Sequence, residues 1–233
     1  METIIFDVDD TLYDQVLPFK NAFRKLVDEP FTDEEIEEIY IESRKHSDAL
    51  FDKNLAGEVS LEEMHKYRVT AAFKKFNIEV NDEKAIAFQA TYLAEQQKIT
   101  LYEEVEQLLD FLLAENKQLA VLTNGEEGHQ SMKIRQLNLA RWIPAEHIFI
   151  SGSVGHAKPT KEVFQIIENK LLLNKTKTVY IGDSFENDIV GAKQAGWQAI
   201  WMNHRNRNAP VTVPTVKPDK VVYTAKELLY LFK

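Results

Sequence analysis

Six short apolar runs rich in β-branched and aromatic residues punctuate the chain, and their spacing constrains the fold more than any other feature. They are Thr3 to Val8, Leu119 to Thr123, His147 to Ile150, Thr178 to Ile181, Gln198 to Met202 and Lys220 to Val222. Each is too short for a helix, and a run without polar alternation reads as a strand buried on both faces. Stretches with helical spacing separate most of them. Strands that alternate with helices predict an α/β fold with a Rossmann-like parallel sheet covered by helices on both faces.

The interval after the first run breaks that rhythm. From Gln15 to Lys98 no β-rich run occurs, and four helical segments follow one another. Pro18 suits the first turn of the first segment, and Asp33 to Asn54 carries Ile36, Ile39, Tyr40 and Leu50 at helical spacing. Ser60 and Glu63 read as a capping box opening a third helix that runs through Phe76. Asn81 is placed to cap a fourth, reaching about Lys98. The expected organisation is therefore an α/β core of residues 1–14 and 99–233 with an all-helical insertion, residues 15–98, after the first strand. Phe19, Phe23, Arg44, His46 and Phe51 are candidates to line a pocket in that insertion, although Phe19 and Phe23, four apart, read most simply as its core. The acids from Asp33 to Glu38 suit a solvated helix N-terminus, and Asn206 to Pro218, with three prolines, predicts an irregular loop.

Composition narrows the possible functions. The 233 residues include 28 Lys and Arg against 37 Asp and Glu, a formal charge of -9, which disfavours an extended nucleic acid as partner. A small anion in a local positive pocket is still compatible. With no cysteine there is no disulfide, no thiolate zinc site and no cysteine nucleophile. The six histidines show neither HxxxH nor HExxH spacing, so none reads as a zinc ligand. The acidic first residues do not read as a signal peptide, no apolar run has membrane-spanning length, and a cytoplasmic location is the expectation.

Four polar clusters fall at the predicted carboxyl ends of strands or just before helices, where open α/β sheets bind ligands. The first is Asp7-Val8-Asp9-Asp10-Thr11. Two close carboxylates repel and need a cation or proton between them, an arrangement that suits a nucleophile beside an acid/base partner. In the second, around Thr123, Asn124 and Gly125, a hydroxyl, a side-chain amide and backbone N–H groups could hold an anion. The third presents Lys158 just before Pro159, which is expected to open a helix. The fourth, Gly182 to Asp188, offers Asp183 as a ligand of a hard cation and Asp188 as its outer partner. Each cluster alone also has a plainer reading: a polar turn, a strand end, a surface lysine, a helix N-cap.

Taken in order, the four clusters resemble the motifs of the haloacid-dehalogenase-like hydrolase superfamily, whose members are mostly Mg²⁺-dependent phosphatases. The resemblance spans the chain. Asp7 and Asp9 match the family's nucleophile and general acid/base in the DxDx(T/V) motif, with Thr11 at its last position. Thr123 matches the phosphate-binding hydroxyl, Lys158 the lysine of the third motif, and Asp183 with Asp188 the acidic GDxxxxD motif. The insertion is similar to the family's helical cap of the first type. The resemblance implies a phosphomonoester hydrolase acting through an aspartyl-phosphate on Asp7. Mg²⁺ would be held by Asp7, the Asp9 carbonyl and Asp183, and phosphate by Thr123, the Asn124 backbone N–H and Lys158. Thr11 to Asp14 is similar to members acting on pyrimidine nucleoside 5′-monophosphates. The alternatives are a sugar phosphomutase, a haloacid dehalogenase, in which a halide leaves without a proton, and a non-catalytic phosphate- or partner-binding protein.

Overall fold

The computed structural model describes residues 1–211 and 215–233, and within the second helix the side chains of residues 51, 52 and 55 lie outside that description. Pro214 and the Phe51 side chain are therefore outside the described residues. The chain forms two compact units, residues 1–14 with 100–233, and residues 15–99.

The first unit is built on a six-stranded sheet: β1 (Thr3–Phe6), β2 (Gln118–Thr123), β3 (Ile148–Ile150), β4 (Thr178–Gly182), β5 (Gln198–Met202) and β6 (Lys220–Val222). All neighbours are parallel, in the order β3-β2-β1-β4-β5-β6. The chain starts in the centre, steps outward through β2 and β3, then returns to the other side of β1. That reversal makes the carboxyl ends of β1, β2 and β4 the sheet's switch point, where diverging connections leave a crevice.

The helices of this unit are α5 (Glu103–Ala114), α6 (Glu127–Gln136), α7 (Ser151–Val154), α8 (Lys161–Leu171), α9 (Gly191–Ala195) and α10 (Ala225–Tyr230). On one sheet face Ile5, Leu122, Tyr180 and Trp201 pack with Phe164 and Ile167 of α8 and Ala192 of α9. Ile4 and Phe6 alternate to the opposite face, where α5 packs on β2 and buries Val105, Leu108, Leu109 and Leu112.

The second unit is all-helical: α1 (Leu17–Leu26), α2 (Asp33–Leu55), α3 (Leu61–Lys75) and α4 (Asp82–Gln96). The Ser60 hydroxyl accepts from the Glu63 N–H while the Glu63 carboxylate accepts from the Ser60 N–H, completing the capping box. Asn81 caps α4 by accepting from the Lys84 N–H at 2.9 Å. Phe19 and Phe23 are core, with Phe19 edge-on to Tyr40 and Phe88 at 5.4 and 5.0 Å. Arg44 pairs with Asp48, and His46 lies against Glu42 and Tyr67.

Two local expectations need correction. The first strand stops at Phe6, because the chain turns after the Asp7 N–H donates to the Ile181 carbonyl, with Asp10 at φ 56° and the Leu12 N–H returning to the Val8 carbonyl. Pro159 does not open a helix; α8 begins at Lys161 behind an extended Thr160. After β4 the chain enters a π-helical turn at Phe185–Val190 before α9, a wider winding often found beside functional sites. Among the described residues no helix is long and apolar enough to cross a membrane.

Candidate active site

Asp7 leaves the end of the central strand with its carboxylate almost fully buried. Its Oδ1 accepts from the Lys158 ammonium at 2.7 Å. Lys158, equally buried, also donates to Asp188 Oδ1 at 2.6 Å and to the Tyr180 hydroxyl at 2.8 Å. Tyr180 in turn donates to the Leu122 carbonyl at 2.7 Å, so the lysine is fixed by three groups, from the residue after β1, from β4 and from the turn after β4. Asp188 completes the frame by accepting from the Ser184 N–H at 2.9 Å. Gly182 is required here, since a Cβ would meet Asp188 Oδ2 at 2.3 Å.

Asp7, Asp183 and Asp188 bring one carboxylate oxygen each within 4.8 Å of one another. Like charges in so small a volume disfavour ionisation. Burial pushes the Asp7 carboxyl up to about 7, with Lys158 opposing and Asp188 and Asp9 adding to the rise. Burial also pushes Asp183 well above the ordinary carboxylate range, reinforced by Asp188 and Asp7. Lys158 moves upward despite burial, because Asp188 and Asp7 hold its charge.

Asp9 is turned toward α6, where Lys133 donates to both of its oxygens at 2.7 Å and Gln130 to Oδ2 at 2.9 Å. The Tyr13 hydroxyl donates to the same carboxylate. Burial acts against its charge, but Lys133, Gln130 and Tyr13 outweigh it and hold Asp9 below the ordinary value. Asp9 is thus a carboxylate, outside the three-acid group yet near enough to raise Asp7.

Thr123 is buried at the end of β2. The expected row of anion donors beside it is shorter than the residues suggested. The Asn124 side chain is committed to Lys158, donating to its carbonyl and accepting from its N–H, both at 2.9 Å. The Gly125 N–H donates to the Ser151 hydroxyl at 2.9 Å. Gly125 has φ 150°, and a Cβ there would meet Gln130 Nε2 at 2.7 Å, so this turn serves close packing around Asp9.

Sequence reasoning missed Lys133, Gln130 and Tyr180, and the basic stretch after β5. There Arg205 donates to Asp10 at 2.9 and 3.2 Å and also to Asp14, while His204 Nε2 lies 3.3 Å from Asp10. Arg207 lies 3.1 Å from Asp183 and 3.5 Å from Asp10. Side-chain bonds from His204 and Arg205 keep Asp10 below the carboxylate range although burial opposes them. The position of this stretch at the carboxyl end of a strand was the signal that could have found it.

A model of the haloacid dehalogenase-like hydrolase family matches residues 1–196. YfnB of Bacillus subtilis (strain 168) is 29% identical over 230 residues, covering 94% of this chain and 92% of that one. The pyrimidine 5′-nucleotidase PynA of Streptococcus pneumoniae (strain ATCC BAA-255 / R6) is also 29% identical over 230 residues, covering 97% and 92%. The crystal structure of YfnB bound to magnesium matches with a TM-score of 0.71 at 24% identity, over 100% of this chain and 98% of that one. A dehalogenase crystallised with an intermediate matches with a TM-score of 0.77 at 14% identity, over 99% and 96%, a likeness of fold.

Proposed function

The chain belongs to the haloacid dehalogenase-like hydrolases, and from that premise we propose that it is a Mg²⁺-dependent phosphomonoester hydrolase with Asp7 as nucleophile. The observation that carries the reading is the buried Asp7–Lys158–Asp188 frame at the sheet's switch point, with Asp183 beside it and Asp9 two residues on.

Three converging carboxylates, two of them with raised affinity for protons, fit a cation better than they fit one another. The donors are all oxygen, which suits Mg²⁺. Asp7, the Asp9 carbonyl and Asp183 would hold it, with Asp188 orienting Lys158 behind them. When bound, it would supply charge neutralisation on the transferring phosphoryl group.

In this proposal a carboxylate oxygen of Asp7 attacks phosphorus in line, and the bond to the leaving oxygen breaks with its electron pair. Asp9 gives a proton to that oxygen. Asp9, again a carboxylate, then takes a proton from water as the water attacks phosphorus of the aspartyl-phosphate, releasing phosphate and restoring Asp7. The Thr123 hydroxyl, the Asn124 backbone N–H and the Lys158 ammonium bind the remaining phosphoryl oxygens. The Lys133 pair keeps Asp9 in the form that serves the second step, so the pair must open and Asp9 take up a proton before the first.

A dehalogenase expels halide without a proton, so an acid at position 9 supported by Lys133 and Gln130 favours the phosphatase over it. Residues 15–98 are read as the cap that selects the substrate and residues 1–14 with 99–233 as the catalytic core. The substrate is a small phosphomonoester, and likeness to PynA and to YjjG of Escherichia coli, both named pyrimidine 5′-nucleotidases, directs the choice toward pyrimidine nucleoside 5′-monophosphates.

The test is phosphate release with Mg²⁺ over nucleoside monophosphates, sugar phosphates and an aryl phosphate. Turnover concentrated on pyrimidine monophosphates supports the full reading. Turnover on other esters keeps the chemistry and removes the substrate assignment, and silence across the panel from folded protein refutes the phosphatase.

A further inference from the structure

The stretch Asn203–Arg207 is a braced loop. The Asn203 N–H donates to the Val222 carbonyl at 2.7 Å, and its side chain both donates to the Arg207 carbonyl (2.9 Å) and accepts from the Arg207 N–H (2.8 Å). The backbone of Arg207 is therefore pinned to the end of β5 while its side chain, 44% exposed, reaches back to the acids. One guanidinium nitrogen lies 3.1 Å from Asp183 Oδ2 and another 3.5 Å from Asp10 Oδ2.

We propose that Arg207 is an internal counter-ion of Asp183 that sets how tightly the acid cluster takes its divalent cation. The inference rests on the cation reading given above. The guanidinium neutralises Asp183 in the free protein, gives up that oxygen as the cation enters, and falls back on Asp10.

Three observations support it. Asp183 is largely buried beside Asp7 and Asp188, so its charge needs an opposite one nearby. The pair is exposed on the arginine side, so opening it costs little. The second acid, Asp10, already lies within reach of the same guanidinium, so a side-chain pivot completes the exchange without moving the braced backbone. Lys158 differs on each count: it is buried and held by three partners, so it stays. A positive charge so close to a ligand oxygen both competes with a cation and repels it.

The experiment is a Mg²⁺ titration by calorimetry of the whole chain in wild-type form and as Arg207→Met, Arg207→Lys and Asp183→Asn. Trp201 gives an optical companion signal, because its indole N–H donates to the Asp183 carbonyl at 2.8 Å. Arg207→Met is expected to bind Mg²⁺ roughly two- to fivefold more tightly, the scale of a partly exposed ion pair. Arg207→Lys should stay near wild type and Asp183→Asn should lose binding. Equal or weaker binding by Arg207→Met overturns the proposal. Binding by none of the proteins, or full binding by Asp183→Asn, refutes the cation reading itself, and the counter-ion role with it.

Discussion

Asp7 occupies a position that costs the fold stability, and Asp7→Asn measures that cost. Its carboxyl is moved from an ordinary 3.8 to about 7 by burial and by the neighbouring acids. At a pH above 7, holding it ionised in the folded protein costs about 4 kcal/mol relative to the unfolded chain. Asn removes the charge and keeps an oxygen for Lys158. The Lys158 contact is already part of that balance, and Asn stands in for the neutral acid, so the expected gain is up to about 4 kcal/mol. For a chain of this size that is a rise in Tm of up to about 8–16 °C. The sign with pH follows from the raised value: the penalty is absent below 3.8, grows between 3.8 and about 7, and is complete above. The assay is thermal unfolding of both proteins in EDTA from about pH 5 to 8, repeated with Mg²⁺. The gain should increase with pH and shrink when Mg²⁺ binds the wild type. A variant no more stable than wild type in EDTA near pH 8, or a difference independent of pH, would refute the reasoning.

Further outcomes follow from the same contacts. Lys133→Met removes the cation holding Asp9, and because breaking a buried pair costs about 3–5 kcal/mol, unfolding at neutral pH should show a loss approaching that range. Since Lys133 helps hold Asp9 below 3.8, the difference from wild type should narrow as pH falls below 3.8; a loss constant with pH would contradict this. Gly182→Ala drives a methyl into Asp188 Oδ2, and a stability loss of about 1–3 kcal/mol with turnover reduced at least tenfold is expected. Wild-type turnover by that variant would show that Asp188 need not hold its place. Removal of divalent cation by EDTA should stop hydrolysis and added Mg²⁺ restore it, and undiminished activity in EDTA would remove the role given to Asp183.

What was legible in the sequence is what depends on neighbours along the chain. The β-branched runs marked β2, β4 and β5 because strands buried on both faces leave a continuous apolar signature. Ser60 with Glu63, and Asn81, marked helix starts because capping is a contact over three residues. Asp7, Asp183 and Asp188 stand out in the sequence by their places after strands and Lys158 by its place before an expected helix, although nothing local shows that Lys158 joins Asp7 to Asp188. Lys133 and Gln130 were missed because they lie 124 and 121 residues from Asp9, on a helix that buries these two polar side chains beside Ile134. Tyr180 lies within an apolar run, where its ring belongs to the core while its hydroxyl reaches the site. The polar groups of the Asn124–Gly125 turn can be counted from sequence, but the partners that occupy the Asn124 side-chain amide and the Gly125 N–H, the Lys158 backbone and the Ser151 hydroxyl, cannot.

The central claim is that Asp7 takes the phosphoryl group, and acid quenching during turnover of a phosphate-labelled substrate tests it most directly. The account predicts label recovered on the peptide bearing Asp7, present with Mg²⁺ and absent from Asp7→Asn. Phosphate released at the same rate by Asp7→Asn, or label carried on a different residue, would contradict it.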